Sequence, residues 1–181
     1  MTTSNANTRR KTACNQRSAV KSAFKSSHLA VTIRTATVDD HAFILDLVDR
    51  LASFDVPAWR PKAELIEGDR RPLRHWFETP KQDEAIFLAE LDGEPAGYAY
   101  LVTLVDFFTE RPHAHLSVLA VAEAAEGKGV GSALLDQSVA WARQRHSDRL
   151  TLSALVTNAR ARALYERKGF GGEYIRYVLP L

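Results

Sequence analysis

HLSVLAVAEAAEGKGVGSALL, residues 115–135, is the stretch that decides the fold. It begins as an apolar run of strand character, with Leu116, Val118, Leu119 and Val121. A small acidic connector leads to Gly127-Lys128-Gly129-Val130-Gly131, and from Ser132 the apolar positions take helical spacing. A strand that feeds a helix through alternating glycines can make an anion site. The first N–H groups of a helix have no acceptor within it, and the positive end of the helix dipole stands behind them. Glycines let a ligand come close to the backbone, and Lys128 adds a mobile positive charge. Taken alone, the same residues equally describe a glycine-rich turn that merely starts a helix.

Two phosphate motifs are excluded by spacing. The P-loop needs glycine, four residues and then Gly-Lys-Ser/Thr. The dinucleotide fingerprint needs Gly-x-Gly-x-x-Gly, whereas the glycines here fall as Gly-x-Gly-x-Gly. The stretch resembles instead the acyl-CoA-binding motif of the GNAT N-acetyltransferases: Arg or Gln, two residues, Gly, one residue, Gly or Ala. Gly129 and Gly131 match its glycines, and Glu126 stands where that pattern has Arg or Gln. A carboxylate there puts the affinity for a diphosphate in question rather than the fold. Downstream, Asn158, Ala163, Leu164, Tyr165, Lys168, Gly169 and Phe170, within NARARALYERKGF, are similar to the family's second block. In that block a strand ends in Asn and a helix carries a Tyr before Gly-Phe. The two blocks stand in the family's order, and IRTATVDD resembles its first strand and the start of its first helix.

Moving outward, residues 31–34 read as a short strand and Thr37 or Asp39 as the cap of a helix. Phe43, Ile44, Leu47, Val48 and Leu51 form that helix's apolar face. A second helix is predicted over Lys62–Glu78, with Leu65, Leu73, Trp76 and Phe77 buried. Residues 85–91 and 95–105 make a hairpin around Asp92-Gly93. The glycine-turn helix runs to about Arg145, followed by a strand over 150–156, a helix over 159–168 and a last strand over 173–179.

The 181 residues amount to one domain with a tail. An apolar fraction of 45% and a charged fraction of 25% are those of an ordinary globular chain. No run approaches the roughly eighteen apolar residues of a membrane span. The single Cys14 excludes an intramolecular disulfide and a multi-cysteine metal site. The formal charge of +2 hides an asymmetry: residues 1–30 carry Arg9, Arg10, Lys11, Arg17, Lys21 and Lys25 with no acidic residue. That leader reads as a disordered tail, a start assigned too far upstream, or an organelle-import segment; without import, the expected compartment is the cytoplasm.

For residues 31–181 the resemblance implies an α/β fold: a mixed, mostly antiparallel sheet, helices on both faces and a splayed central strand pair. It implies acetyl-CoA as co-substrate, no metal, and direct transfer of acetyl to a primary amine in a ternary complex. The pyrophosphate would lie on Gly127, Lys128, Gly129, Val130, Gly131 and Ser132. The backbone of Leu119, Ala120 and Val121 would hold the pantetheine arm and the thioester carbonyl. Tyr165 matches the family's general acid; read alone, it equally packs on a helical face with Ala161, Leu164 and Lys168. Asn158 either orients the arm or caps the next helix. Ser117 falls where many members carry a glutamate that deprotonates the amine, and a serine is no base at neutral pH. His113 and His115 share its strand parity and titrate in the right range; Asp106 and Glu110 stand behind them.

The acceptor expected is a small-molecule or peptide amine, met by loops 53–61 and 106–112 with Phe54, Trp59, Phe107 and Phe108. No membrane or specific nucleic-acid partner is expected, and a homodimer is left open. The absent strand carboxylate sustains a competing reading, an acyl-CoA-binding sensor or scaffold without efficient turnover.

Overall fold

The computed structural model describes residues 30–181, so the leader lies, apart from Ala30, outside the described residues. Strands β1 (Val31–Thr35), β2 (Glu84–Leu91), β3 (Glu94–Val105) and β4 (Pro112–Val121) pair antiparallel in chain order. β5 (Leu150–Leu152) joins β4 in parallel. Helix α1 (His41–Leu47) runs on into a 3-10 segment, Val48–Ala52. Helices α2 (Lys62–Glu78), α3 (Val130–Gln144) and α4 (Ala159–Arg167) complete the elements. Among the described residues no helix is long and apolar enough to cross a membrane.

The local chemistry accounts for these elements. Asp92 and Gly93 both take positive φ, 54° and 88°, the backbone of a tight hairpin whose twist matches its strands. The start of α1 is fixed by Asp40, which accepts two bonds of 2.7 Å from the Arg34 guanidinium and one of 2.7 Å from the Thr37 N–H. Arg34 in turn holds the Asp40 carboxyl down at about 2.

Strand alternation then separates two cores. Ala99 and Leu101 of β3 face α3 through Leu134, Leu135 and Trp141. Tyr98 and Tyr100 face α1 and α2 through Ile44, Val48, Leu73 and Trp76. Helices therefore cover both faces of a mostly antiparallel sheet, as the sequence predicts.

The β3–β4 register slips once. Leu116 faces Leu101 and Val118 faces Tyr100, so Ser117 is an extra residue in β4, a β-bulge. β4 pairs with β5 only through Ala114, His115 and Leu116, opposite Leu150, Thr151 and Leu152. Pairing on that side stops one residue before the bulge, and the two strands part there.

Three expectations change. β5 is three residues long rather than spanning 150–156. Residues 173–179 form no strand: so short a β5 gives a further strand almost no edge to pair with, and Tyr174, Ile175, Tyr177 and Leu179 stay exposed. α3 begins at Val130, two residues before Ser132.

Gly97 sets how closely β3 lies beside β4, because a Cβ there would stand 2.6 Å from the Ala120 carbonyl oxygen. Gly97→Ala is expected to destabilise the fold by about 1–3 kcal/mol, lowering the denaturant midpoint at unchanged m-value. An unchanged midpoint would mean that the backbones do not approach so tightly.

Candidate active site

Beyond Leu116 the hydrogen-bonding side of β4 that faced β5 is open. The Ala122 N–H donates to Ala96 O at 2.8 Å and so points toward β3. Antiparallel alternation therefore turns the N–H and C=O of Val121 and Leu119 away from β3, into the gap. Ala120 points back to β3 and offers the gap no backbone group, contrary to expectation. The Val121 carbonyl is also taken, accepting from Arg50 Nε at 3.1 Å. Among the described residues, the Leu119 N–H and C=O and the Val121 N–H are left facing the gap.

The glycine loop continues directly from this strand. Gly127 and Gly129 have φ of 73° and 88°, a region that favours glycine. Gly129 is the N-cap of α3, which leaves the N–H groups of Val130, Gly131 and Ser132 in the helix's first turn. The Lys128 N–H is not free, since it donates to Ala125 O at 3.3 Å. Gly131 has a second role: a Cβ there would meet Leu164 Cδ2 of α4 at 3.2 Å. Its lack of a side chain lets α4 lie against α3, and Lys168 fastens the two by bonds of 2.6 and 2.7 Å to Asp136.

Four charges converge beside the loop. Glu126 Oε1 accepts from Arg50 Nη2 at 2.6 Å and also pairs with Arg160, near the start of α4. Arg50 Nη1 reaches Glu123 at 3.0 Å. Arg160, then Arg50, hold the Glu126 carboxyl below its ordinary value. Arg50 was not legible as a site residue, since it lies 71 residues before Val121 in a helical stretch with no motif around it.

On the α1–α2 face of β4, Thr151 Oγ1 sits 3.1 Å from His113 Nε2 and 2.8 Å from His115 Nδ1. His113 is buried, and its Nδ1 has no partner among the described residues. Burial, and then the neighbouring His113, push the His115 pKa down. Ser117, the bulged residue, is exposed. Tyr165 on α4 is half-buried against Phe170, ring centroids 6.0 Å apart, and burial raises its phenol pKa. Asn158 Oδ1 caps α4 by accepting from the Ala161 N–H at 3.1 Å, which leaves its amide NH2 for a ligand. Phe107 and Phe108 stand exposed at the β3–β4 tip, before the Pro112 end of β4 and away from the glycine loop.

Residues 46–170 match the model of the acetyltransferase (GNAT) family. The chain belongs to that family. It is 28% identical to the N-acetyltransferase YhfO of Bacillus subtilis, over 82% of this chain and 97% of the relative. It is 36% identical to the mycothiol acetyltransferase of Beutenbergia cavernae over 52% of this chain, but spans just 30% of that protein. In fold it is similar to the ribosomal-protein-alanine N-acetyltransferase of Brucella melitensis, with a TM-score of 0.62 at 22% identity, covering 84% of this chain and 100% of the other.

The two loop glycines separate by experiment. Gly131→Val is expected to lower the melting temperature by pressing on Leu164, with Leu164→Ala restoring part of the loss. Gly129→Val is expected to be destabilising through its backbone, by about 1–2 kcal/mol, with no rescue from Leu164→Ala. Equal behaviour of the two pairs would contradict these separate roles.

Proposed function

We propose that the protein is an N-acetyltransferase that moves the acetyl group of acetyl-CoA to a primary amine by direct attack in a ternary complex. One observation carries the reading. β4 loses its β5 partner at the bulge, so unpaired backbone groups of Leu119 and Val121 stand immediately upstream of a helix N-terminus built on glycines. The first-turn amides of Val130, Gly131 and Ser132 suit a diphosphate, with Lys128 as a mobile counter-charge. The Leu119 and Val121 groups suit an amide-containing arm. An N–H aimed at the thioester carbonyl stabilises the oxyanion that forms when the amine attacks; such donors are typically worth about 3–4 kcal/mol.

Two proton transfers remain. The amine must lose a proton before it attacks, and His115 is the group suited to accept it. Its environment favours the neutral imidazole, and the bond to Thr151 holds the ring in place. The departing thiolate needs a proton, and Tyr165 suits that task because burial keeps its phenol protonated. The Asn158 NH2 can bond the arm.

Release of thiol from acetyl-CoA over a panel of small and peptide amines tests the activity. Tyr165→Phe is expected to lower kcat by about 10²–10⁴-fold with the KM for acetyl-CoA little changed, as for an interaction made mainly in the transition state. A base works deprotonated, and the His115 pKa is depressed, so the acid limb of kcat/KM should fall below about pH 6.5, the ordinary imidazole value. His115→Gln should remove that limb; its persistence would assign the proton to another group. Tight acetyl-CoA binding with no thiol release across the panel would instead favour a binding module.

A further inference from the structure

We propose that Glu126 is a clasp across the mouth of the cofactor gap, one that the diphosphate opens by taking over its two arginines. The inference rests on the acetyl-CoA reading above. Glu126 occupies the motif position where a cationic or amide side chain is expected, and a carboxylate there should repel a diphosphate. The structure resolves that conflict. A single oxygen, Oε1, accepts from Arg50 on the 3-10 segment after α1 and pairs with Arg160 on α4. The two arginines come from separate elements, Arg50 from the 3-10 segment Val48–Ala52 and Arg160 from α4, which follows β5 in the chain. Arg50 is anchored to the strand itself through the Val121 carbonyl and has a further tie to Glu123. Arg160 is the looser partner, its side chain 64% exposed against 27% for Arg50.

The charges define the exchange. With Glu123 counted, two guanidiniums and two carboxylates make the cluster neutral, and Glu126, which touches both guanidiniums, keeps them together while no anion is bound. A diphosphate brings charge to match both guanidiniums, and bidentate Arg–phosphate bonds are among the stronger polar contacts. When it binds, Arg160 turns from Glu126 to the phosphates and Arg50 shares its outer nitrogen with them. Glu126 is then a competitor that lowers affinity and speeds release of the spent cofactor, and Arg160 is a ligand-recognition residue that the motif does not include.

The test compares acetyl-CoA with S-acetylpantetheine, which keeps the arm and thioester but lacks the diphosphate, by calorimetric titration of the folded protein. Glu126→Gln is expected to tighten acetyl-CoA about tenfold, since it removes a charged competitor, and to leave S-acetylpantetheine unchanged. Arg160→Gln, at an exposed position, is expected to weaken acetyl-CoA about tenfold and likewise to leave S-acetylpantetheine unchanged. A purely structural tie predicts something different: both substitutions would lower the melting temperature and shift the two ligands together, or neither. Unchanged or weaker acetyl-CoA binding by Glu126→Gln overturns the clasp, as does indifference of Arg160→Gln. Failure of the native protein to bind acetyl-CoA at all overturns the donor assignment itself, a distinct outcome.

Discussion

β4 keeps its hydrogen bonds to β3 along its length but loses those to β5 after Leu116. The rest of the site depends on that asymmetry. Unpaired backbone N–H and C=O groups are costly unless water or a ligand satisfies them, so a strand opened on one side by design is a strand awaiting a partner. The Ser117 bulge marks the point of parting. Gly97 lets β3 lie tightly against the same strand on its other side. α3 starts from the far end of β4 through the glycine loop, placing helix amides next to the open edge. α4 is packed onto α3 through Leu164 and tied by Lys168, and it carries Tyr165 and Arg160 to the other side of the opening.

Charge is arranged around this gap in two separate groups. At the loop end, Glu126 gathers Arg50 and Arg160 and is itself held ionised by them. At the paired end, two histidines share one threonine hydroxyl, and burial pushes the His115 pKa down. The loop end is suited to a phosphate anion and the paired end to a departing amine proton. The reacting carbonyl is expected between them.

Much of this was legible because it is local in sequence. The α2 limits, the Asp92-Gly93 hairpin, the glycine loop and the Asn158–Phe170 block each announce themselves within one short run of sequence. The bulge did not, because a strand with one extra residue reads like any apolar run. Its consequence for backbone direction escaped too: Leu119, Ala120 and Val121 look alike in sequence, yet Ala120 is paired to β3 and the Val121 carbonyl is bound by Arg50. Gly131 read only as a position of ligand approach, and its missing Cβ also makes room for Leu164. The expected last strand failed for a related reason. Residues 173–179 have strand composition, but pairing needs a neighbouring edge, and β5 supplies only three residues of one. Glu126 read as a defect in a motif, and only the fold brings it together with arginines from two distant helical segments.

Under the proposed function, the open edge of β4 and the first turn of α3 together receive acetyl-CoA. Amide-resolved NMR titration of the protein with acetyl-CoA tests it most directly. The amides of Leu119, Val121, Val130, Gly131 and Ser132 are expected to shift and gain protection from exchange, while that of Ala120 keeps the protection it already has from β3. Binding that leaves those five amides unchanged, or that shifts a cluster elsewhere on the molecule, would contradict it.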